Sequence, residues 1–141
     1  MLRRNVRIEW GDCDPAGIVF YPRYLDQFNE STIQLFETAG FGRKRDMQRE
    51  LQVAGFPMVD VRTSFRRPTT YGDEVVITSR IAEMGRSSFK VEHQLWLGEE
   101  LCVECWETRV WTVVDPDDSS RLKSAPIPQA IRDKIGPKPE A

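Results

Sequence analysis

The sequence predicts an α+β fold in which an antiparallel sheet of about five strands wraps around one long helix. Apolar residues first recur at helical spacing, in one stripe between Tyr21 and Ala39. Four later stretches between residues 59 and 113 instead alternate apolar and polar residues, a period of two that is typical of strands. Short turns separate these four stretches, so the pattern excludes a series of strand–helix–strand units with a parallel sheet.

The chain begins with a short strand over residues 6–10, where apolar and charged side chains alternate. A loop follows, and the long helix is predicted to begin near Pro22, because proline suits the first helical turn. This helix should end before Gly40, because glycine suits the position just past a helix C-terminus. A second helix, shorter and more polar, is predicted around residues 43–52.

The four later strands are expected at about 59–66, 75–81, 89–97 and 101–113. In the last of them the apolar residues change phase near Cys105, which predicts a bulge or burial on both faces. From about Asp115 the chain is rich in proline and charge, so we expect an irregular tail with a short helix near 128–135 and disordered residues 136–141. We expect one domain over residues 1–141, without internal repeats.

Composition narrows the classes of function. The chain has 141 residues, of which 40% are hydrophobic and 30% charged, as in a globular domain. A net charge of −2 gives no general attraction to nucleic acids or anionic membranes. The charged N-terminus does not resemble a signal peptide, and no apolar stretch is long enough to span a membrane. The three cysteines form no disulfide framework, so we expect a cytoplasmic protein.

The most informative segment is the loop over residues 11–24, which contains two carboxylates and leads directly into the long helix. A helix N-terminus offers free backbone N–H groups and the positive end of the helix dipole, so it favours an anion or a polarised carbonyl. Asp14 precedes a proline and is therefore expected to be extended and to point out of the turn. Asp12 is better placed to brace the loop by hydrogen bonds to the backbone. On local chemistry alone, both are also compatible with ordinary turn and capping residues.

Residues 9–24 closely resemble the active-site segment of 4-hydroxybenzoyl-CoA thioesterases and related acyl-CoA thioesterases with the hot-dog fold. The order of elements and the turn over residues 67–75 match as well, so the resemblance covers residues 5–115. It implies that two protomers join their sheets edge to edge with the helices outside, and that the active sites lie at the dimer interface. We therefore expect a homodimer or a homotetramer.

The resemblance also assigns roles within the loop. It implies that Asp14 is the catalytic carboxylate, either as a nucleophile that forms an acyl-enzyme anhydride or as the base that activates water. The backbone N–H of Tyr21 is implied to polarise the thioester carbonyl, as oxyanion-stabilising donors do. Gly17 can adopt a positive φ, which would let the loop fold back over the helix end.

Three further residues are implied to bind substrate. Asn29 lies two helical turns beyond Tyr21, where the 4-hydroxybenzoyl-specific enzymes carry an aspartate that accepts a hydrogen bond from the substrate phenol. An amide at this position favours another aromatic acyl group or a medium-chain one. Arg86 and Ser88 match part of a basic segment that holds the nucleotide phosphates of coenzyme A, whereas Gly85 and Ser87 replace basic positions.

The resemblance implies an acyl-CoA thioesterase that needs no metal and no cofactor beyond the coenzyme A of its substrate. Two alternatives remain open: a non-catalytic module that binds acyl-CoA or an acyl carrier, and a hydratase or dehydratase of the same fold. The second depends on a catalytic histidine, and the single histidine, His93, is in phase with apolar strand residues and is expected in the core or an interface. Cys102 and Cys105 are expected in the sheet, and Cys13 is a less favoured nucleophile than Asp14.

Overall fold

The computed structural model describes residues 1–137. Its main elements, in chain order, are β1 (Leu2–Arg7), α1 (Pro22–Phe36), α2 (Lys44–Leu51), β2 (Met58–Phe65), β3 (Glu74–Met84), β4 (Ser88–Leu97), β5 (Glu100–Val110), β6 (Thr112–Asp115), β7 (Asp118–Ser124) and α3 (Gln129–Ile135). The helix predicted around 43–52 corresponds to α2, and the helix predicted near 128–135 corresponds to α3. The last four residues, part of the predicted disordered end, lie outside the described residues.

Five strands form one antiparallel sheet in the order β1-β3-β4-β5-β2, which confirms the predicted α+β class. Although β2 and β3 follow each other in the sequence, they are not neighbours. The connection between them crosses from one edge of the sheet toward the other, and within residues 1–137 β2 pairs with β5 alone. Strand periodicity cannot reveal this, because it reports which residues face inward and not which strands pair.

The helix α1 lies across one face of the sheet and buries its apolar stripe there. Phe28 and Phe36 on this helix are almost completely buried. The ring of Phe28 stacks on His93 of the sheet at a centroid distance of 5.0 Å. The predicted start at Pro22 is confirmed, and α1 continues as a π-helical turn, Glu37–Phe41, in which Gly40 has a φ of +93°.

The first strand differs from its prediction over residues 6–10, because it spans Leu2–Arg7 instead. Burial alternates along it, but one of the half-buried positions is Arg4, whose guanidinium donates to the side chain of Gln27 at 2.7 Å. An inward-facing arginine hides the apolar alternation on which the prediction depended. Trp10 lies in a short 3₁₀ turn and is 72% exposed.

The last long strand also differs, because β5 ends at Val110 and β6 begins at Thr112. The register of β4 and β5 shifts between Leu95 and Trp96, opposite Leu101–Val103, and not near Cys105, where the change of apolar phase predicted a bulge. That change arises because charged residues occupy the buried positions that follow Cys105. The segment after Asp115, predicted to be irregular, instead forms β7, which pairs with β6 as a two-stranded hairpin. All residues of β7 are exposed, so its sequence lacks the alternation of apolar and polar residues that predicts a strand.

Candidate active site

The loop between β1 and α1 folds back on itself as a narrow turn. Cys13 and Val19 form an antiparallel bridge, and the N–H of Asp14 donates to the carbonyl of Ile18 at 2.9 Å. Gly17 lies at the tip, with a φ of +86°, so the predicted positive φ is confirmed. Asp14 therefore lies on the first arm of this turn. The second arm contains Ile18 and reaches Tyr21 three residues later.

The two aspartates of the loop make different contacts. Oδ2 of Asp12 accepts a hydrogen bond from the N–H of Glu9 at 2.8 Å, so this side chain braces the loop as expected. Asp14 is half-buried, and its Oδ1 accepts from the N–H of Ala16 at 2.8 Å. Within residues 1–137, the second oxygen of Asp14 receives no protein hydrogen bond. One oxygen thus fixes the orientation of the carboxylate, and the other is available.

The N-terminus of α1 leaves one backbone donor available. The N–H of Arg23 donates to the carbonyl of Phe20, and that of Tyr24 donates to the carbonyl of Tyr21. Pro22 has no N–H. The N–H of Tyr21, by contrast, donates to no oxygen of the described chain. It lies where the positive end of the helix dipole favours a developing negative charge.

The loop rests on the segment between β2 and β3. The N–H of Val19 donates to the carbonyl of the fully buried Thr69 at 2.9 Å. Ile18 forms a bridge with Thr70, and the N–H of Ile8 donates to the carbonyl of Asp73 at 2.8 Å. These contacts attach the loop to the segment that precedes β3. They hold both arms of the turn in place beside the N-terminus of α1.

Exposed aromatic side chains extend from the loop toward the free edge of β2. Phe20, Tyr21 and Phe65 are 48%, 59% and 52% exposed. The rings of Tyr21 and Phe65 lie 6.2 Å apart, edge to face. Together these three residues form what we call the aromatic wall. The sequence alone does not reveal this wall, because Phe65 is distant in sequence and approaches Tyr21 only in the folded chain.

Asn29 and Arg86 occupy different parts of the molecule. Asn29 is exposed on α1, and its Oδ1 accepts a hydrogen bond from Nη2 of Arg109 at 2.8 Å. Arg86 is exposed in the turn between β3 and β4, and Ser88 is half-buried at the start of β4. Since β3 has 11 residues, its two ends lie roughly 33 Å apart. One chain therefore does not bring Arg86 or Ser88 close to Asp14, which lies beside the opposite end of β3.

Comparisons with known proteins agree with this geometry. The family model described as the thioesterase-like superfamily matches residues 8–135. The 4-hydroxybenzoyl-CoA thioesterase of Pseudomonas sp. (strain CBS-3) is 32% identical over 127 residues, which cover 86% of this chain and 88% of that protein. A 1,4-dihydroxy-2-naphthoyl-CoA hydrolase of Synechococcus sp. (strain WH7803) is 24% identical over 92% of this chain and 85% of its own length.

Solved structures show the same similarity. The 4-hydroxybenzoyl-CoA thioesterase from Pseudomonas sp. strain CBS-3 has a TM-score of 0.86 and 30% identity, over 95% of this chain and 98% of the other. An aspartate-to-asparagine mutant of a 4-hydroxybenzoyl-CoA thioesterase, complexed with 4-hydroxybenzoyl-CoA, has a TM-score of 0.84 and 30% identity, over 94% and 97%. The chain belongs to the thioesterase-like superfamily. The predicted hot-dog fold and the predicted class, a thioester hydrolase, are both confirmed.

The only histidine of this thioesterase is in the core, as predicted. His93 is 0% exposed, and its Nδ1 lies 2.6 Å from the hydroxyl of Ser79. Its Nε2 lies 3.2 Å from Glu107 Oε1 and 3.2 Å from the hydroxyl of Thr32. A ring enclosed in this way does not reach a substrate, which counts against the histidine-dependent hydratase alternative.

Two charged residues of the thioesterase core, Glu107 and Arg109, were missed by the sequence analysis. They are 1% and 6% exposed, and Arg109 Nε donates to Glu107 Oε2 at 2.8 Å. Burial tends to raise the pKa of Glu107, but the hydrogen bonds and charges of His93 and Arg109 outweigh it and hold that pKa below its ordinary value. A signal was available, since both residues continue the inward phase of Val103 and Cys105.

The positions of the three cysteines do not suggest a nucleophilic or redox role. Cys102 and Cys105 are buried, and burial raises the pKa of the Cys105 thiol to about 11. Cys13 is half-buried, and its Sγ lies 3.7 Å from the carbonyl of Glu9.

In the described part of the chain, no three His, Cys, Asp or Glu side chains converge as metal ligands. Of the helices in residues 1–137, none has the length and apolar character needed to cross a membrane.

Proposed function

We propose that this thioesterase hydrolyses an acyl-CoA to a free acid and coenzyme A, with Asp14 as the catalytic carboxylate. The observation that carries the proposal is the pairing of two available groups in one short loop: the free oxygen of Asp14 and the free N–H of Tyr21. A thioester carbonyl that accepts a hydrogen bond from Tyr21 N–H is polarised for attack. The N–H and the helix dipole then stabilise the oxyanion that develops.

Two balanced routes use the same groups. In the first, an oxygen of Asp14 attacks the carbonyl carbon and the C–S bond breaks. Coenzyme A leaves as a thiolate that takes a proton, and water then cleaves the acyl-aspartyl anhydride to restore Asp14. In the second, Asp14 removes a proton from water as the water attacks the same carbon. The tetrahedral adduct then breaks its C–S bond, and the leaving thiolate of coenzyme A takes the proton held by Asp14, which restores the carboxylate. Water and the thioester are the only reactants in either route, so no metal or additional cofactor is required.

The aromatic wall favours an aromatic acyl group. Phe20, Tyr21 and Phe65 offer exposed ring surface beside the proposed oxyanion donor. Relatives with related sequences are named for 4-hydroxybenzoyl and 1,4-dihydroxy-2-naphthoyl groups, which are aromatic. We propose an aromatic acyl-CoA as the first choice, and a medium-chain acyl-CoA as the second because its apolar chain can pack on the same surface.

A second copy of the chain is part of the proposal. Asp14 lies beside the Phe65 end of the sheet, whereas Arg86 and Ser88 lie beside the Met58 end. Their separation along β3 exceeds the length of the extended pantetheine arm that joins the thioester to the phosphates of coenzyme A. One chain could therefore not hold both ends of the substrate through these residues.

A dimer formed through the free edge of β2 would place both groups of binding residues in one site. It carries exposed apolar side chains: Met58, Val59, Val61 and Phe65. An unpaired strand edge of this kind is a template for pairing with another chain. Antiparallel pairing of two β2 strands about a two-fold axis would place the Arg86 end of the partner beside the Asp14 end of this chain. We propose that each site combines Asp14 of one protomer with the phosphate-binding turn of the other, in a dimer or in a tetramer built from such dimers.

The proposal is tested with Asp14→Asn, which keeps the shape of the side chain and its bond to Ala16 but removes the charge. Turnover of benzoyl-CoA and octanoyl-CoA should fall by at least about a thousandfold, because the variant has neither nucleophile nor base. The thermal transition and the Kd for the acyl-CoA, measured by calorimetry, should be almost unchanged. Cys13→Ser is the matched control and should keep near-normal turnover.

Product acid is best followed by chromatography, because thiol reagents would also react with Cys13. If Asp14→Asn kept near-normal turnover, Asp14 would not be the catalytic carboxylate. If the unmodified protein bound acyl-CoA but released no acid from any thioester of an aromatic and aliphatic panel, the chain would be the non-catalytic binding module instead. A cytoplasmic location stays a prediction.

A further inference from the structure

A chain of polar side chains crosses the interior from β3 to the exposed surface of α1. It starts at Ser79, whose hydroxyl contacts His93, and continues to Glu107. Glu107 accepts from Nε of Arg109 at 2.8 Å. Nη2 of Arg109 then donates to Oδ1 of Asn29 at 2.8 Å. The hydrolytic mechanism uses none of the buried members, yet the chain ends at Asn29, which the family resemblance implies to bind the acyl group.

Arg109 determines whether the oxygen or the NH₂ group of the Asn29 amide points toward solvent. A guanidinium has only donors, so the atom of Asn29 that faces it must be the carbonyl oxygen and not the nitrogen. Arg109 is itself held in place, because Nε donates to Glu107 and Nη1 donates to the carbonyl of Phe56 at 3.2 Å. Asn29 is an exposed residue, and its amide NH₂ donates to no group in residues 1–137. Asn29 therefore presents two hydrogen-bond donors.

The spacing between Asn29 and Tyr21 suits a short acyl group. Eight residues of helix rise by about 12 Å. A hydrogen bond of about 3 Å at each end would leave roughly 6 Å, which accommodates one aromatic ring with a substituent. The Tyr21 N–H would bind the thioester carbonyl at one end of this interval, and the Asn29 amide would meet the substituent at the other.

We infer that Arg109, by orienting Asn29, makes this thioesterase specific for acyl groups that carry a hydrogen-bond acceptor, such as a carbonyl oxygen, at the end remote from the thioester. This inference rests on the proposed function. An acceptor oxygen pairs with the NH₂ of Asn29. A hydroxyl oxygen can accept from the same NH₂, but its own proton finds no acceptor on Asn29, whose Oδ1 is bound to Arg109. A polar group that loses its hydrogen-bond partner on binding lowers kcat/KM, which is how a site with fixed donors rejects the wrong substituent.

The test compares 4-acetylbenzoyl-CoA, whose terminal carbonyl only accepts, with 4-hydroxybenzoyl-CoA, whose terminal hydroxyl also carries a proton to donate, and uses benzoyl-CoA as the reference. The preference is the ratio of kcat/KM for the acetyl and hydroxyl substrates. Dividing this ratio for the unmodified enzyme by the ratio for Asn29→Ala cancels the intrinsic reactivity of the two thioesters. We expect the quotient to be about five to ten, the effect of one hydrogen bond.

Asn29→Asp replaces the two donors by acceptors and should reverse the preference, in favour of the hydroxyl substrate. Asn29 is exposed, so neither substitution threatens folding. Arg109→Gln leaves Asn29 intact but permits its amide to turn, because glutamine can donate or accept. If this variant folds, its preference should fall to that of Asn29→Ala. If it does not fold, the reversal in Asn29→Asp decides the matter.

The outcomes separate the two proposals. If benzoyl-CoA is hydrolysed but the preference is the same in the unmodified enzyme, Asn29→Ala and Asn29→Asp, then Arg109 and Asn29 do not select the acyl group and only this inference is overturned. If no aromatic or aliphatic thioester is hydrolysed, the proposed function fails and the inference fails with it. A fall in kcat/KM that is equal for all three substrates would also overturn the inference, since it would report a general loss of structure.

Discussion

The hydroxyl of Tyr24 lies 2.7 Å from Oγ1 of Thr69 and accepts the backbone N–H of Thr69 at 3.2 Å. This contact joins the first turn of α1 to the segment between β2 and β3. The carbonyl of Thr69 accepts from the N–H of Val19 in the loop that carries Asp14. One buried threonine therefore holds both the loop and the helix that provides the proposed oxyanion donor.

Tyr24→Phe should destabilise the protein. Thr69 is 0% exposed and Tyr24 is 4% exposed, so loss of the hydroxyl leaves a buried N–H without a partner. Such a loss costs about 1–3 kcal/mol of the free energy of unfolding. Tyr21→Phe is the control, because its side chain is 59% exposed and its loss of a hydroxyl should be nearly neutral. Urea denaturation would measure both, and equal stability of the two variants would show that Thr69 is satisfied in another way.

Gly17→Ala should impair turnover more than stability. The φ of +86° at Gly17 is unfavourable for alanine, although no atom lies within 4 Å of an added Cβ. The strain is about 1–2 kcal/mol, and the loop can relieve it only by moving Asp14 relative to Tyr21. We expect kcat to fall by roughly tenfold or more, because small misplacements of reacting groups are costly.

Gly11→Ala is the matched control for this substitution. An added Cβ at Gly11 also meets no atom within 4 Å, and its φ is not positive. Its kcat should remain close to that of the unmodified enzyme. Equal values of kcat for the two alanine variants would show that the geometry at Gly17 does not position Asp14.

The parts of the fold that were predicted from sequence are those whose signal is local. Pro22 fixed the start of α1, and the alternation of residues 89–97 identified β4 and the burial of His93. β1 and β7 were misread for one physical reason. The inward face of β1 is interrupted by Arg4 between Leu2 and Val6, and β7 is exposed throughout, so neither strand has a continuous apolar face to detect.

The candidate site was likewise predictable only where its residues are neighbours in the sequence. The loop from Asp14 to Tyr21 is contiguous in sequence, so its turn and the positive φ of Gly17 could be anticipated. The contact of Arg109 with Asn29 could not, because it depends on which strand of the sheet lies beside α1. Charged residues at inward positions of β5 are unfavourable in isolation, and only their mutual pairing in the folded protein compensates for their burial.

The stability of the protein should depend on the ionisation of Glu107. Its pKa is lower in the folded protein than in the unfolded chain, where a glutamate has a pKa of about 4.3. The resulting stabilisation is complete above that value and is lost as the pH falls through the folded pKa. The groups that face the carboxylate are His93, Arg109 and the hydroxyl of Thr32.

Glu107→Gln removes this dependence together with the charge. It should lower the free energy of unfolding at pH 7 by about 3 kcal/mol, because Arg109 is left buried without a counter-ion. The loss of stability as the pH falls below about 4.3 should be smaller than in the unmodified protein. Glu83→Gln is the control, since Glu83 has a 73% exposed side chain in a loose pair with Lys90. If Glu83→Gln flattened the pH profile as much as Glu107→Gln, the buried carboxylate would not be its source.

The proposed sharing of each site between two protomers predicts complementation between inactive chains. Arg86→Ala alone should raise KM for acyl-CoA more than it lowers kcat, because a phosphate contact is remote from the bond that breaks. Arg45→Ala, which removes an exposed arginine from α2, should leave KM unchanged. At a substrate concentration far below KM, both Asp14→Asn and Arg86→Ala should therefore be weakly active.

Mixing and reassociating these two variants tests which residues meet in a site. If Asp14 and Arg86 of one site come from different protomers, a mixed dimer has one doubly mutant site and one site with both native residues. An equal mixture should then recover activity of up to about a quarter of that of the unmodified enzyme, since half of the dimers are mixed and half of their sites are native. If both residues of a site came from one protomer, every site would carry one mutation and no activity would be recovered. Val61→Glu, which places like charges at the free edge of β2, should prevent the recovery, whereas Val114→Glu on the exposed β6–β7 hairpin should not.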